Sequence, residues 1–461
     1  MKRQLLKSVI VLVCVFLVLS CEDKNGSGDA SRVTQKVNEF IMDYMTDSYL
    51  WNDRISTNID IKKETDPFAL LDKLIYTNLD KWTFLTDDAE ALIKEYEGVS
   101  TTYGYNLNLY KFNNVESFFG VVRFVYPGSP AERAGVARGD IIIMINGNDI
   151  TEANYLDLFY SSTTTLRMGV VNEEGNSIDL GTKTVSMQAV EMYLDPVNTY
   201  KIIDKGDKKI GYLCYTGYRD EARNKLLEVF RLFKNSHVTD VVLDLRYNLG
   251  GTASSTIFLS SVLVPESAAR GEDVFLRELW NNDYMDYYRQ EGTDLNLYFD
   301  KEVEVNMDLD HLYVLTSANT ASAPEATMAG LMPYLNVIQV GEPTHGKYCG
   351  AALISPWIDN KGNVDKEIEN WALSMVIYKY ANKNGLTDFK NGLTPTYDVE
   401  DDWSSRYPLG DERDPILAKA IEVITGIPVQ FTRSSVPVPG KRLPAQMQPD
   451  FRRSGLITDY K

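Results

Sequence analysis

The chain has 461 residues, more than one ordinary hydrophobic core organises, which points to about two to four domains. Its 65 acidic and 47 basic side chains leave a formal charge of −18, a surface that repels phosphate backbones and speaks against nucleic acid as a partner. Apolar content of 44% and aromatic content of 11% exclude a disordered chain.

The first twenty residues stand apart. Lys2, Arg3 and Lys7 precede the apolar run "SVIVLVCVFLVLS", and Cys21 follows. A basic flank, a short apolar stretch and small residues before a cut describe a secretory signal over 1–20. A cysteine directly after Val18-Leu19-Ser20 resembles the lipobox of bacterial lipoproteins, in which that cysteine carries the lipid. The alternative is an uncleaved single-span anchor; either way the body is exported and tethered. Residues 21–33 read as a flexible Gly/Ser-rich tether. The localisation implied is the cell envelope, lipid-anchored, with the acidic pair Glu22-Asp23 pointing to the outer membrane or the surface. Only Cys214 and Cys349 remain in the body; they make no disulfide framework, and the sequence leaves a single bridge between them open. His237, His311 and His345 are far apart and give no metal-ligand spacing, so no metal is assigned.

A helical domain is expected over 34–97. Val37, Phe40, Ile41 and Tyr44 share one helix face, and Asp66-Pro67 is a helix start. Nothing in it suggests chemistry. From 100 to 190 the period changes to short strands: "YNLNLY", "FFGVVRFVY", "DIIIMING" and "TLRMGVV". Within it, "PGSPAERAGVARGDIIIMINGNDIT" runs from a Pro-Gly turn through a small-residue helix and a buried strand to an Asn146-Gly147 hairpin. That order resembles a PDZ domain, a module that adds a peptide strand to a sheet edge and holds its terminal carboxylate in backbone N–H groups. The corresponding loop is Tyr103, Gly104, Tyr105 and Asn106, with Asn106 where a second glycine is usual. Residues 195–426 alternate strands ("IGYLCY", "DVVLDL", "LYVLT", "LNVIQVG") with helices, an α/β core. The proline-rich 427–461 lacks periodicity and reads as a disordered tail.

Three stretches follow apolar strands, where open α/β sheets bind ligands: "DLRYNLGG", "TSANTASAPE" and "GEPTHGK". Ser322 and Glu325 form a capping box ahead of a helix, which by itself explains both. The small neighbours Ala321 and Ala323 are left unexplained; they let a substrate backbone approach. Lys347 sits behind Gly346 at the end of an apolar strand. Burial there would disfavour its ammonium form and let it accept a serine proton. Gly250 or Gly251, together with Ala323, offers backbone N–H groups for an oxyanion hole.

In this order, behind a PDZ-like domain and a helical unit, the three stretches resemble the C-terminal processing (tail-specific) serine proteases. In that family the nucleophile lies in S-A-x-E, here Ser322 to Glu325. The base lies in G-E-x-T-x-G-K, here Gly341 to Lys347. The strand end D-L-R-x-N-x-G-G matches Asp244 to Gly251. The resemblance implies a mixed α/β protein with a crotonase/ClpP-like core and a Ser322–Lys347 dyad working through an acyl-enzyme without a cofactor. It also implies unfolded or C-terminally exposed proteins as substrates. Two positions depart from relatives: Ala351 stands where many have glutamine, and Pro333 where some have aspartate. Thr344, His345 and Tyr348 remain as candidates to orient Lys347. Two rivals are a pseudo-protease acting as a PDZ-type binding lipoprotein, and a glycan-binding lipoprotein resting on 28 tyrosines. The oligomeric state is left open.

Overall fold

The computed structural model describes residues 30–56, 58–172, 177–359, 361–403, 405–430, 439–444, 448 and 456–458. The signal at 1–20, Cys21 and nearly all of the tether lie outside the described residues. The first helix, Arg32–Asp47, begins inside the range assigned to the tether, because Ser31 caps it through an Oγ that accepts from the Thr34 N–H.

The N-terminal helices share their core with the α/β body. Val37, Phe40 and Ile41 of the first helix and Leu70, Leu71 and Leu74 of helix Pro67–Leu74 are buried in one continuous core with the α/β body. Strand Phe84–Thr86 then pairs antiparallel with Ala372–Asn382, deep in that body. An amphipathic face this short cannot bury itself, so it uses the nearest large apolar surface.

The body has two sheets. The first runs Val197–Lys205, Lys208–Tyr215, Asp240–Asp244, His311–Thr316, Asn336–Gly341 and Tyr397–Asp398, parallel after its first pair. Every residue of Asp240–Asp244 is buried, as expected of a strand covered on both faces. The second sheet, not foreseen, joins Asn296–Tyr298, Val274–Trp280, Ala372–Asn382 and Cys349–Ile354. Helix Ala323–Leu331 is buried along its whole length and packs against Ala372–Asn382, Val274–Trp280 and Asn336–Gly341, strands of both sheets. Contact is close: a Cβ on Gly330 would come within 2.1 Å of the Phe275 ring.

The PDZ-like domain is a sheet ordered Tyr105–Phe112, Ser117–Val125, Asn148–Thr151, Ile141–Ile145, Thr163–Val171 and Ile178–Gln188. Asn146 and Gly147 have φ of 54° and 78°, the conformation a two-residue hairpin turn requires.

Among its described residues, the tail read as disordered contributes two strands. Gly440–Arg442 pairs antiparallel with Tyr105–Phe112, and Leu456–Thr458 pairs parallel with Cys349–Ile354. Main-chain pairing at an open sheet edge needs no apolar period, so composition concealed both strands.

A buried ion network ties the PDZ-like domain to the body. Arg246 grips Asp244 with two bonds of 2.9 and 2.7 Å and reaches Asp414 at 2.9 Å. Arg138, from the PDZ-like domain, reaches Asp401 at 3.2 Å and Asp414 at 3.4 Å. Burial by itself would raise Asp401, but Arg138, Arg246 and the Tyr247 hydroxyl hold it below 3.8. Its contribution is therefore present above the ordinary carboxylate range and lost as pH falls through the depressed value. Arg246→Ala leaves Asp244 buried without its cation and Asp414 with Arg138 alone, and is expected to cost about 3–5 kcal/mol. Urea unfolding at neutral pH checks this; a loss below about 1 kcal/mol would show that the network adds little to stability.

Candidate active site

Ser322 stands at the mouth of helix Ala323–Leu331 with φ 67° and ψ −108°, a backbone region that non-glycine residues avoid. Such strain persists only where the surroundings over-determine it, and here two groups do so. The Glu325 carboxylate, 0% exposed, accepts the Ser322 N–H at 2.8 Å. The Tyr380 hydroxyl, from the second sheet, lies 3.3 Å from the Ser322 carbonyl.

The same two groups hold Lys347. Glu325 Oε2 accepts the Lys347 N–H at 2.8 Å, while Oε1 accepts the Gly346 N–H at 2.7 Å and the Thr344 hydroxyl at 2.5 Å. The Tyr380 hydroxyl is 3.1 Å from the Lys347 carbonyl. Because one carboxylate oxygen lies 2.8 Å from both backbone nitrogens, Ser322 and Lys347 are neighbours in space. Burial pushes the Glu325 carboxyl up to about 7, against the pull of its four donors.

Lys347 is 2% exposed. Burial lowers its pKa below 10.5; the opposing influences of Cys349, Asp80 and Glu325 do not restore it. Its Nζ lies 5.7 Å from the Trp82 ring centroid. Asp80 accepts the Trp82 and Thr83 N–H groups at 2.8 and 3.0 Å and the Tyr49 hydroxyl at 2.8 Å. The N-terminal segment thus walls the lysine, although its sequence suggested no chemistry. Of the three candidate orienters, Thr344 is committed to Glu325 and to the Leu393 N–H. His345, lowered to about 4 by burial and by Lys347 and Lys81, is neutral and lies edge-on to Trp82. Tyr348 packs between Trp82 and Phe389. Cys214 and Cys349 are both free and buried, so no bridge joins them.

The "NLGG" turn supports the serine loop from the other side. The Asn248 carbonyl accepts the Ala321 N–H at 3.0 Å, and the Ser317 and Thr320 hydroxyls donate to the Arg246 and Leu245 carbonyls. Gly250 requires a correction: its N–H already donates to Asn248 Oδ1 at 2.9 Å. Gly251 bridges Tyr218 in a parallel pattern, in which Gly250 O and the Thr252 N–H make the bonds and Gly251's own amide faces away. With φ 148°, a Cβ there would lie 1.8 Å from the Tyr218 carbonyl, so only glycine fits. Ala323, the first residue of its helix, has an N–H with no intrahelical acceptor.

A cavity of about 650 Å³ separates the PDZ-like domain from the body. Tyr103, Tyr105, Asn106 and Leu107 line one side; Gly250, Gly251 and Thr252 line the other. Gly104 takes φ 79° to let the chain pass Ser129, whose Cβ would be 2.3 Å from an added methyl. Ser322, 0% exposed, is not among the residues that line the cavity.

A PDZ-like domain docked on a two-sheet α/β body, with a strained serine tied through Glu325 to a buried lysine loop, has the layout of a peptide-handling serine hydrolase. The comparisons agree. The model for peptidase family S41 matches residues 209–399, that for the peptidase S41 N-terminal domain matches 36–84, and that for the PDZ domain matches 121–168. The chain belongs to peptidase family S41. It is 26% identical over 263 residues to carboxy-terminal processing protease CtpA of Bacillus subtilis, covering 56% of this chain and 50% of that one. It is 26% identical over 237 residues to carboxyl-terminal-processing peptidase 2 of Arabidopsis thaliana chloroplasts, covering 49% and 41%. The chain thus spans about half the length of the curated relatives it matches. A solved S41 protease candidate from Bacteroides fragilis superimposes with a TM-score of 0.68 at 25% identity, covering 85% of this chain and 98% of that one.

Glu325→Ala would strand four donors and uncouple the two loops. We expect a stability loss of about 3 kcal/mol or more, with Glu325→Gln intermediate because it keeps one accepting oxygen. Tyr380→Phe is expected to cost about 1 kcal/mol. Urea midpoints of the three variants, ranked in that order, check the assignment.

Proposed function

We propose that the chain is a serine endopeptidase of the C-terminal processing type. What carries this reading is the shared grip of Glu325, which brings the backbone of Ser322 and that of Lys347 onto one carboxylate while burial disfavours the lysine's charge. Neutral Lys347 takes the Ser322 hydroxyl proton as Oγ attacks the scissile carbonyl. The Ala323 and Gly251 N–H groups receive the oxyanion. The protonated lysine then returns its proton to the leaving amine. Water, deprotonated by the same amine, hydrolyses the ester and regenerates both groups. No cofactor enters. The PDZ-like loop Tyr103–Asn106 would take the substrate's terminal carboxylate and raise its local concentration beside the serine.

Substrates would be unfolded or C-terminally exposed exported proteins. Cys21 would anchor the chain to the cell envelope by a lipid, in the outer membrane. Alkyne-palmitate labelling of the full chain in a bacterial host is expected to mark wild type and to vanish in Cys21→Ser.

The complete burial of Ser322 favours a second reading, a peptide-binding lipoprotein built on an inactive core. One assay separates the two. Wild type should cleave an unstructured protein, and Ser322→Ala and Lys347→Ala should each lose at least about a thousandfold. Both relevant ionisations are deprotonations: Glu325 near 7 and Lys347 below 10.5. Hydrolysis should therefore rise as pH increases through about 7 and fall away on the acid side. A wild type that cleaves nothing on either side of that value leaves only the binding reading.

A further inference from the structure

The outer edge of strand Tyr105–Phe112 is the edge on which a PDZ-type ligand strand would lie, directly after the Tyr103–Asn106 loop. Part of it is already taken. Gly440, Lys441 and Arg442 stand opposite Phe112, Lys111 and Tyr110. The ladder continues at both ends, with the Asn113 N–H on the Pro439 carbonyl at 3.2 Å and the Leu443 N–H on the Leu109 carbonyl at 2.9 Å. Then a side chain replaces the main chain. Gln448, 4% exposed, accepts the Leu109 N–H at 2.8 Å through Oε1. Its Nε2 donates to the Leu109 carbonyl at 3.3 Å and to the Leu443 carbonyl at 2.8 Å. The amide thus closes the strand edge as a peptide group would. Leu443 is buried in the PDZ-like core, and Arg442 reaches Asn108 Oδ1 at 3.1 Å.

Direction matters. A peptide with its carboxylate at Gly104 must run antiparallel to Tyr105–Phe112, and so does the tail. The tail therefore lies on the track that residues upstream of a bound C-terminus would follow. Tyr105, Asn106 and Leu107 line the cavity beyond it.

We propose that residues 439–444 and Gln448 set the length of peptide that the PDZ-like edge reads. Taking the peptide-capture reading above as its basis, a ligand can pair only alongside Tyr105, Asn106 and Leu107. At Leu109 its chain must leave the sheet, into the cavity walled by Gly250 and Gly251. Selection would then rest on the last few side chains of a carboxylate-ended peptide, with no main-chain reading upstream.

The test uses the full chain carrying Ser322→Ala, with two fluorescent peptides that share their final residues and a free carboxylate, one of about five and one of about twelve residues. Fluorescence anisotropy should give dissociation constants within about twofold of each other. Adding Lys441→Pro and Gln448→Ala, which take an N–H and an amide out of the tail ladder, should tighten the longer peptide by about tenfold and leave the shorter one unchanged. Gln448→Ala alone, the milder change should the proline variant fail to fold, should give about threefold. A longer peptide preferred by the parent chain, or no length response in either variant, overturns the proposal. Binding that is absent, or indifferent to amidation of the carboxylate, overturns peptide capture itself and the proposal with it.

Discussion

One buried carboxylate organises this site. Glu325 lies one helical turn past the serine, is fully buried, and accepts four donors from two loops that are far apart in sequence. Each donor would cost free energy if buried unpaired, so the four bonds make the two loops a single unit. The strained backbone at Ser322 then has a cause. The serine N–H meets the same oxygen as the lysine N–H, a bond that helps hold the backbone at its unusual φ. Tyr380 repeats the clasp on the carbonyl side. Capping box and lysine loop are therefore one device, since the glutamate that starts the helix also anchors Lys347.

The rest of the body serves to bury that unit. Two sheets enclose helix Ala323–Leu331, and the N-terminal segment supplies Asp80 and Trp82 as the wall around Lys347. Burial disfavours the charge on Lys347, because the ammonium loses hydration. Asp80 does not cancel the effect. Its oxygens are occupied by the Trp82, Thr83 and Tyr49 donors rather than given over to the amine.

The PDZ-like domain is joined to this body in two chemically different ways. Arg138 enters a buried network of two guanidinium groups and three carboxylates, in which loss of any partner strands another charge. The tail instead adds strands to open edges of both units, using main-chain bonds that demand little of the side chains. Between these joints lies the cavity, walled by the peptide-loop residues on one side and by Gly250 and Gly251 on the other.

Local pattern was enough to locate much of this. Asp240–Asp244, His311–Thr316 and Asn336–Gly341 are apolar runs between turn signals; the helix starts at Asp66-Pro67 and Asp414-Pro415 announce themselves by cap chemistry; S-A-x-E and G-E-x-T-x-G-K mark the two loops because short spacing confines their roles. Other features had no local signature. Tyr380 is one tyrosine in a buried strand until the second sheet brings its hydroxyl to two distant carbonyls. Asp80 and Trp82 looked like parts of a helical unit until packing set them against Lys347. Gly250 offered an amide on paper, but Asn248 folds back and takes it. The tail's strands borrow their order from edges elsewhere in the chain. Periodicity, caps and motifs report what a residue does with its near neighbours. Which far-off groups share a buried oxygen or an open edge depends on long-range packing, and only the folded chain settles that.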